Sequence, residues 1–473
     1  MKRIAIIGGG AAGLASATLL AKKGHSVVLF ESHTHIGGCG GFFRRAKYIF
    51  DVGATTLSPM SELSPLTKFL NDFNIHVDTK NLETPMTIYS GDKKIFRYKN
   101  REKWIKELER HWPDIDHRLI WEKIFGLSDR LWKNTDLIEN IFTKSLSFSM
   151  DPLLLGLNSF WTMKKFLDFH NIYDESYIKF LDEQLIISTQ AHCHDVNFLI
   201  ATIGLTYPED MVYPMGGISN VLNLIEKKAR ELSVDIQTRT KVEKIIKSKG
   251  LYRITSNKGD DEFDIVISTL PLVNTAKLYQ DRKLSKISKK FVGKYSALTF
   301  YIGMDDFLLP EESLYHQVHL KKGELLDDIG GSLFFSFSRH DDNSKAPKGK
   351  ITLTSSTHIE NFNLEMNEED YEKFKKKLKE KFLVILKKYF PNIKTESFEF
   401  FEMGTPRTFK RFTSREEGLV GGIPHVLKNH PLLFPKPNIL GENFYLLGDN
   451  IFPGQGVASV VLGAQNLIKK KFR

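Results

Sequence analysis

Apolar residues gather into short unbroken runs near both ends of the chain and into mixed patterns between them. Ile4-Ala5-Ile6-Ile7 is such a run, and Val27-Val28-Leu29-Phe30 is a second. Ile265-Val266-Ile267 is a third, apolar throughout as a strand covered on both faces should be, and 443–447 ends on a fourth. Between about 101 and 205 there is no period of two and little glycine, and Trp, Phe, Leu and Lys abound, which predicts a long helical region. Residues 280–430 alternate, with strands predicted at 297–302, 332–337 and 350–354. A lysine-rich helix follows, its apolar stripe Tyr371, Phe374, Leu378, Phe382, Ile385 and Tyr389, stopped by Pro391. Shorter helices are expected at 66–73 and 220–232, and strands at 86–90, 95–98, 235–237 and 241–245.

The first run leads into Gly8-Gly9-Gly10-Ala11-Ala12-Gly13, then a helical stretch over 14–23 closed by Gly24, then the second run with Glu31 at its end. Strand, glycine turn, helix, strand and acid in this register predict a β-α-β unit for a dinucleotide. Gly8 makes the tight turn, Gly10 lets a pyrophosphate approach the backbone, and Gly13 lets helix and strand pack closely. The helix start offers N–H groups and partial positive charge to phosphates, and Glu31 stands where a ribose hydroxyl would need an acceptor.

Further on stand His35-Ile36-Gly37-Gly38-Cys39-Gly40-Gly41-Phe42-Phe43 and Phe50-Asp51-Val52-Gly53-Ala54. Near the C-terminus a strand runs into Gly448-Asp449, followed by Phe452-Pro453-Gly454-Gln455-Gly456-Val457-Ala458 and a helix. Tyr213-Pro214-Met215-Gly216-Gly217 and Gly404-Thr405-Pro406-Arg407-Thr408, with Gly418, Gly421 and Gly422, complete the set. Together these segments resemble the phytoene desaturase and carotenoid isomerase family of FAD enzymes, with retinol saturases as relatives. Amine oxidases usually carry Arg directly after the Gly-Gly pair; Cys39 stands there in this chain.

The resemblance implies an α/β fold: a discontinuous Rossmann-type FAD-binding domain from residues 1–80, 208–280 and 431–473, and an α+β substrate domain with a helical lid from 81–207 and 281–430. It implies non-covalent FAD held by Gly8, Gly10, Ala11, Ala12, Gly13, Glu31, Ser32, Gly37, Gly38, Gly53, Ala54, Thr55, Val242, Gly448, Asp449, Gly456 and Val457. Val242 is the expected adenine-side contact. Asp449 and the Gly456–Val457 helix start are expected to hold the ribityl chain and pyrimidine edge. The expected reaction is desaturation, isomerisation or saturation at C=C or adjacent C–C bonds of an apolar polyene or isoprenoid. An FAD amine oxidase or a protoporphyrinogen-oxidase-like enzyme is the alternative, and the missing Arg after Gly38 counts against it.

A length of 473 residues calls for two domains. Two cysteines, Cys39 and Cys193, leave no disulfide framework and fit a reducing, cytoplasmic setting. The chain enters its first strand at once, so no signal peptide is expected, and no apolar run reaches membrane-spanning length. A net charge of +10 adds an expectation of peripheral contact with anionic lipid, with 150–165 as the candidate stretch. No nucleic-acid motif is present. His192-Cys193-His194-Asp195 invites a metal reading, but adjacent ligands on a regular element cannot all face one ion; Asp195 is read as a helix N-cap and no metal is expected. No Ser/His/Asp or paired-carboxylate pattern emerges among 15 scattered histidines, so no catalytic residue is assigned.

Overall fold

A computed structural model describes residues 1–133, 160–307, 314–326 and 331–472. A five-stranded sheet lies at one end. Its central strand Arg3–Ile7 runs parallel to Ser26–Phe30 on one side and Ile265–Ser268 on the other. Asp235–Gln237 and Phe444–Leu446 extend the two edges. The sheet is therefore assembled from strands near both ends of the chain and from its middle. Helices Ala11–Lys22, Gly217–Glu231 and Val457–Lys471 cover one face and share its core, including Leu14, Leu20, Val221, Ile225, Val461 and Leu467. An antiparallel three-stranded sheet, Val242–Ser248, Leu251–Ser256 and Gly259–Phe263, packs against the other face through Tyr252, Ile254 and Phe263.

The second large sheet has seven strands in the order Phe400–Gly404, Ser296–Asp305, Lys350–Ile359, Gly331–Phe337, Tyr315–Leu320, Met86–Ser90, Lys93–Arg97. Its alternation explains both faces. Leu298, Phe300 and Ile302 point to the helix Glu368–Tyr389, where Phe300 stacks on Phe382 at 4.1 Å between ring centres. Leu378, Phe382 and Ile385 of the predicted stripe are buried there, and the helix ends just before Pro391. Ala297, Thr299 and Tyr301 point the other way, into a cavity. Helices Arg101–His111, His117–Lys133, Met163–Phe169, Glu175–Thr189 and Phe198–Thr206 pack on Met86, Ile88 and Ile95, and several of them line that cavity from the opposite side.

Two boundaries differ from the sequence reading. The first helix begins at Ala11, three residues before the expected Leu14, because the turn ends at Gly10, whose extended backbone caps the helix. The helix at 198 is capped by Asn197, not Asp195: the Asn197 side chain accepts from the Leu199 and Ile200 N–H groups at 3.1 and 3.4 Å. Most of the 150–165 stretch lies outside the described residues; within it, Phe160 is exposed and stacks on His430. Among the described residues no helix is long and apolar enough to cross a membrane, and no group of three or more His, Cys, Asp or Glu side chains could hold a metal.

Candidate active site

The glycine turn is shaped by what it excludes. Gly8 has φ +105, and a Cβ there would meet Thr269 Oγ1 at 2.6 Å. A Cβ at Gly13 would sit 2.0 Å from the Gly8 carbonyl oxygen, so helix and strand approach only because Gly13 has no side chain. The second glycine loop is stitched on top: the Gly37 N–H donates to the Gly9 carbonyl at 2.8 Å, and Gly37 and Gly38 both have positive φ. Glu31 holds this arrangement from below. Its carboxylate accepts from the Gly9 N–H at 2.8 Å and from the His33 N–H at 2.7 Å. The acid expected at a ribose fixes the turn; its Oε1 also accepts from the Ser32 hydroxyl at 3.3 Å, while Oε2 retains capacity for a second donor.

The segment 53–55 is held from the second sheet, by Thr55 Oγ1 with Ser336 Oγ at 2.6 Å and by the Tyr315 hydroxyl donating to the Thr55 carbonyl at 3.1 Å. Asp51 is buried away from the cavity. It accepts from Lys345 Nζ at 2.6 Å and from the Ser219 hydroxyl at 3.1 Å, tying the hairpin 42–51 to the start of Gly217–Glu231 and to the loop after the second sheet's strand Gly331–Phe337. On the far wall, Gly448 turns with φ +101 out of the strand Phe444–Leu446, and Gly456 opens the C-terminal helix.

Every site residue predicted from the sequence except Gly13 lines one cavity of about 1620 Å³. Gly13 serves from behind, through the close packing described above. The cavity exceeds the roughly 300–1,000 Å³ that suits one drug-sized ligand, so a dinucleotide and a second molecule fit together. The residues in place suit a dinucleotide: N–H groups at the Ala11 helix start, glycines where a Cβ would obstruct, and the Glu31 carboxylate beside them. The remaining lining is largely apolar and aromatic, with Leu199, Ile203, Tyr207, Tyr301, Phe334 and Met403 among it.

Several lining groups were not read from the sequence. Arg415 pairs with Asp449 at 2.5 Å, both mostly buried. Burial disfavours the Arg415 charge, but Asp449 opposes that and holds its pKa above the ordinary value. Burial pushes the neighbouring Cys39 thiol up. His425 is 4% exposed and stacks on Phe434; burial lowers its pKa to about 4, so the ring is neutral. Gln190, also buried, donates to the Val420 carbonyl at 2.9 Å. At another part of the wall Arg101 bonds Asp129 at 2.7 Å and Glu209 at 2.9 Å, with buried Arg97 3.7 Å from Glu209. This charge cluster was not read from the sequence. Two arginines balance two acids, so the cluster is neutral as a whole. None of these contacts is visible locally, since the partners come from separate elements.

The fold and site define a flavin enzyme: the chain belongs to the family described as flavin containing amine oxidoreductase, which matches residues 11–403. The chain is 26% identical over 489 residues to a chloroplastic prolycopene isomerase of Daucus carota, covering 96% of this chain and 77% of that one. It is 24% identical over 505 residues to 4,4'-diaponeurosporene oxygenase of Staphylococcus aureus (strain Mu50), covering 99% and 98%. An oxidoreductase structure from Methanosarcina mazei shares the fold with TM-score 0.67 at 17% identity, covering 99% of this chain and 100% of that one. A triple mutant of putrescine oxidase does so with TM-score 0.63 at 14% identity, covering 99% and 98%. The resemblance to carotenoid desaturases and isomerases stands, and the protein is a flavin-containing oxidoreductase.

Proposed function

We propose that the chain binds FAD non-covalently through the predicted residues and acts on a C=C or adjacent C–C bond of an apolar polyene or isoprenoid. The observation that carries this reading is one continuous cavity, in which the expected dinucleotide cradle runs directly into a wall of aromatic and branched side chains. Apolar ligands bind such walls through area removed from water. A bound flavin would supply hydride or single-electron chemistry. The chain's own contribution is to position and desolvate: the sheet face at Thr299 and Tyr301 and the helices at Leu199 and Ile203 form opposite walls around the substrate. His425, neutral through burial, offers no charge to that space. The carotenoid relatives, each matched over more than 95% of this chain, support the substrate class.

Expression of the protein with candidate polyene pools, followed by absorbance and mass analysis of an organic extract, tests the reading. A shifted polyene spectrum is expected, and unchanged pools would count against it. A second reading, an amine oxidase, is favoured by the carboxylates of Asp129 and Glu209 in the cavity wall, which could attract a cationic substrate. Arg97 and Arg101 neutralise them, which weakens that attraction. Delivery of an apolar substrate from a bilayer and a charge of +10 support peripheral contact with anionic lipid. Salt-sensitive flotation with anionic liposomes, absent with neutral ones, is the expected result.

A further inference from the structure

We propose that Arg415 is a cofactor-anchoring residue, giving guanidinium N–H groups to the diphosphate of the bound dinucleotide while it keeps its ion pair with Asp449. The proposal rests on the FAD reading above. Its first support is position. Arg415 Nη2 reaches Asp449 Oδ2, Nη1 donates to the Gly421 carbonyl at 3.0 Å, and the guanidinium also meets the Cys39 thiol. Cys39 follows directly on Gly37–Gly38, the loop bonded onto the glycine turn. The guanidinium thus sits between the glycine loops and the Gly448–Asp449 turn, from opposite walls of one cavity.

The second support is burial. Arg415 has 16% of its side chain exposed, against 38% for Arg101, 49% for Arg45 and 61% for Lys277, which line the same cavity. A diphosphate carries two full negative charges, and a helix start supplies only about half a positive one. Asp449 beside it would add repulsion if unpaired. Arg415 answers both, because its planar fork has five donors and suits phosphate oxygens. Asp449, Gly421 and Cys39 do not use all five.

The third support is that the chain holds the guanidinium in place. The segment carrying Arg415 is fixed at Gly418, whose carbonyl accepts from the Ser296 hydroxyl, and at Gly422, where a Cβ would lie 2.0 Å from the Asp449 carbonyl oxygen. Such close backbone contact keeps the two loops in one arrangement.

The test is FAD titration of flavin-stripped protein, followed by quenching of flavin fluorescence, for wild type, Arg415→Gln, Arg415→Lys, Asp449→Asn and the double variant Arg415→Gln/Asp449→Asn. Arg415→Gln should weaken binding about 10- to 100-fold, the loss of hydrogen bonds to a charged group, and Arg415→Lys should fall between. The double variant should remain weaker than Asp449→Asn by a similar factor. Equal affinity of the double variant and Asp449→Asn would show that Arg415 only neutralises Asp449 and would overturn the proposal, as would Arg415→Gln binding like wild type. Circular dichroism checks folding, and if Arg415→Gln fails to fold, Arg415→Lys in the Asp449→Asn background carries the same comparison. Failure of wild type to bind FAD would instead sink the cofactor reading itself.

Discussion

Replacing Asp51 by Asn should destabilise the protein by about 3–5 kcal/mol, the cost of leaving one charge of a buried pair uncompensated. Asp51 and Lys345 are 4% and 6% exposed at the side chain and 2.6 Å apart. Asparagine keeps the size and can still accept from Ser219, so the loss isolates the charge on Lys345. Breaking one partner removes the attraction but not the desolvation of the other. Lys345→Met should therefore cost a similar amount. Asp51→Asn/Lys345→Met leaves no buried charge and should be more stable than either single variant, since neutral replacement of a buried pair is often near neutral. Urea unfolding followed by tryptophan fluorescence measures all three. A loss below about 1 kcal/mol for the single variants, or a double-variant loss equal to the sum of the singles, would refute the reasoning.

Other outcomes follow from the same geometry. Glu31→Ala should weaken FAD binding at least about tenfold, through a lost ribose acceptor and a loosened turn; unchanged affinity in the fluorescence titration would contradict it. Gly13→Val places a side chain against the Gly8 carbonyl, and purified protein with normal flavin content would contradict the packing account. Folded His117, His319 and His425 have pKa values lowered by burial to about 4, 3 and 4, below the unfolded value of about 6.5. Their contribution to stability is present above pH 6.5 and is lost as pH falls towards 4, because the unfolded chain takes up the protons first; an equal or higher urea midpoint at pH 5 than at pH 7.5 would contradict it. Heat denaturation should release the flavin into the supernatant, and flavin left in the pellet would show a covalent link.

The glycine turn and the strands around it were legible because their chemistry is local. A tight turn needs Gly8, close packing needs Gly13, and an apolar run of four marks a strand covered on both faces. The stripe at Leu378, Phe382 and Ile385 was legible for the same reason, since helical period alone decides its buried face. The cap at Asn197 was misread two positions early because Asp195 and Asn197 are equally good caps, and only the backbone path chooses between them. The Arg415–Asp449 pair joins positions 34 apart, and Lys345–Asp51 joins positions 294 apart. No periodicity signals such pairs; they arise when the tertiary fold brings separate elements together. The neutral cluster of Arg97, Arg101, Asp129 and Glu209 was hidden likewise, each residue alone reading as an ordinary surface charge.

Anaerobic mixing of the flavin-loaded protein, oxidised and reduced, with a lycopene-type polyene, a retinol-type polyene and a primary amine tests the central claim most directly. The account predicts a change in the absorbance and mass of a polyene with one of the two flavin states, and no flavin bleaching by the amine. Bleaching by the amine with every polyene unchanged in both states would contradict it.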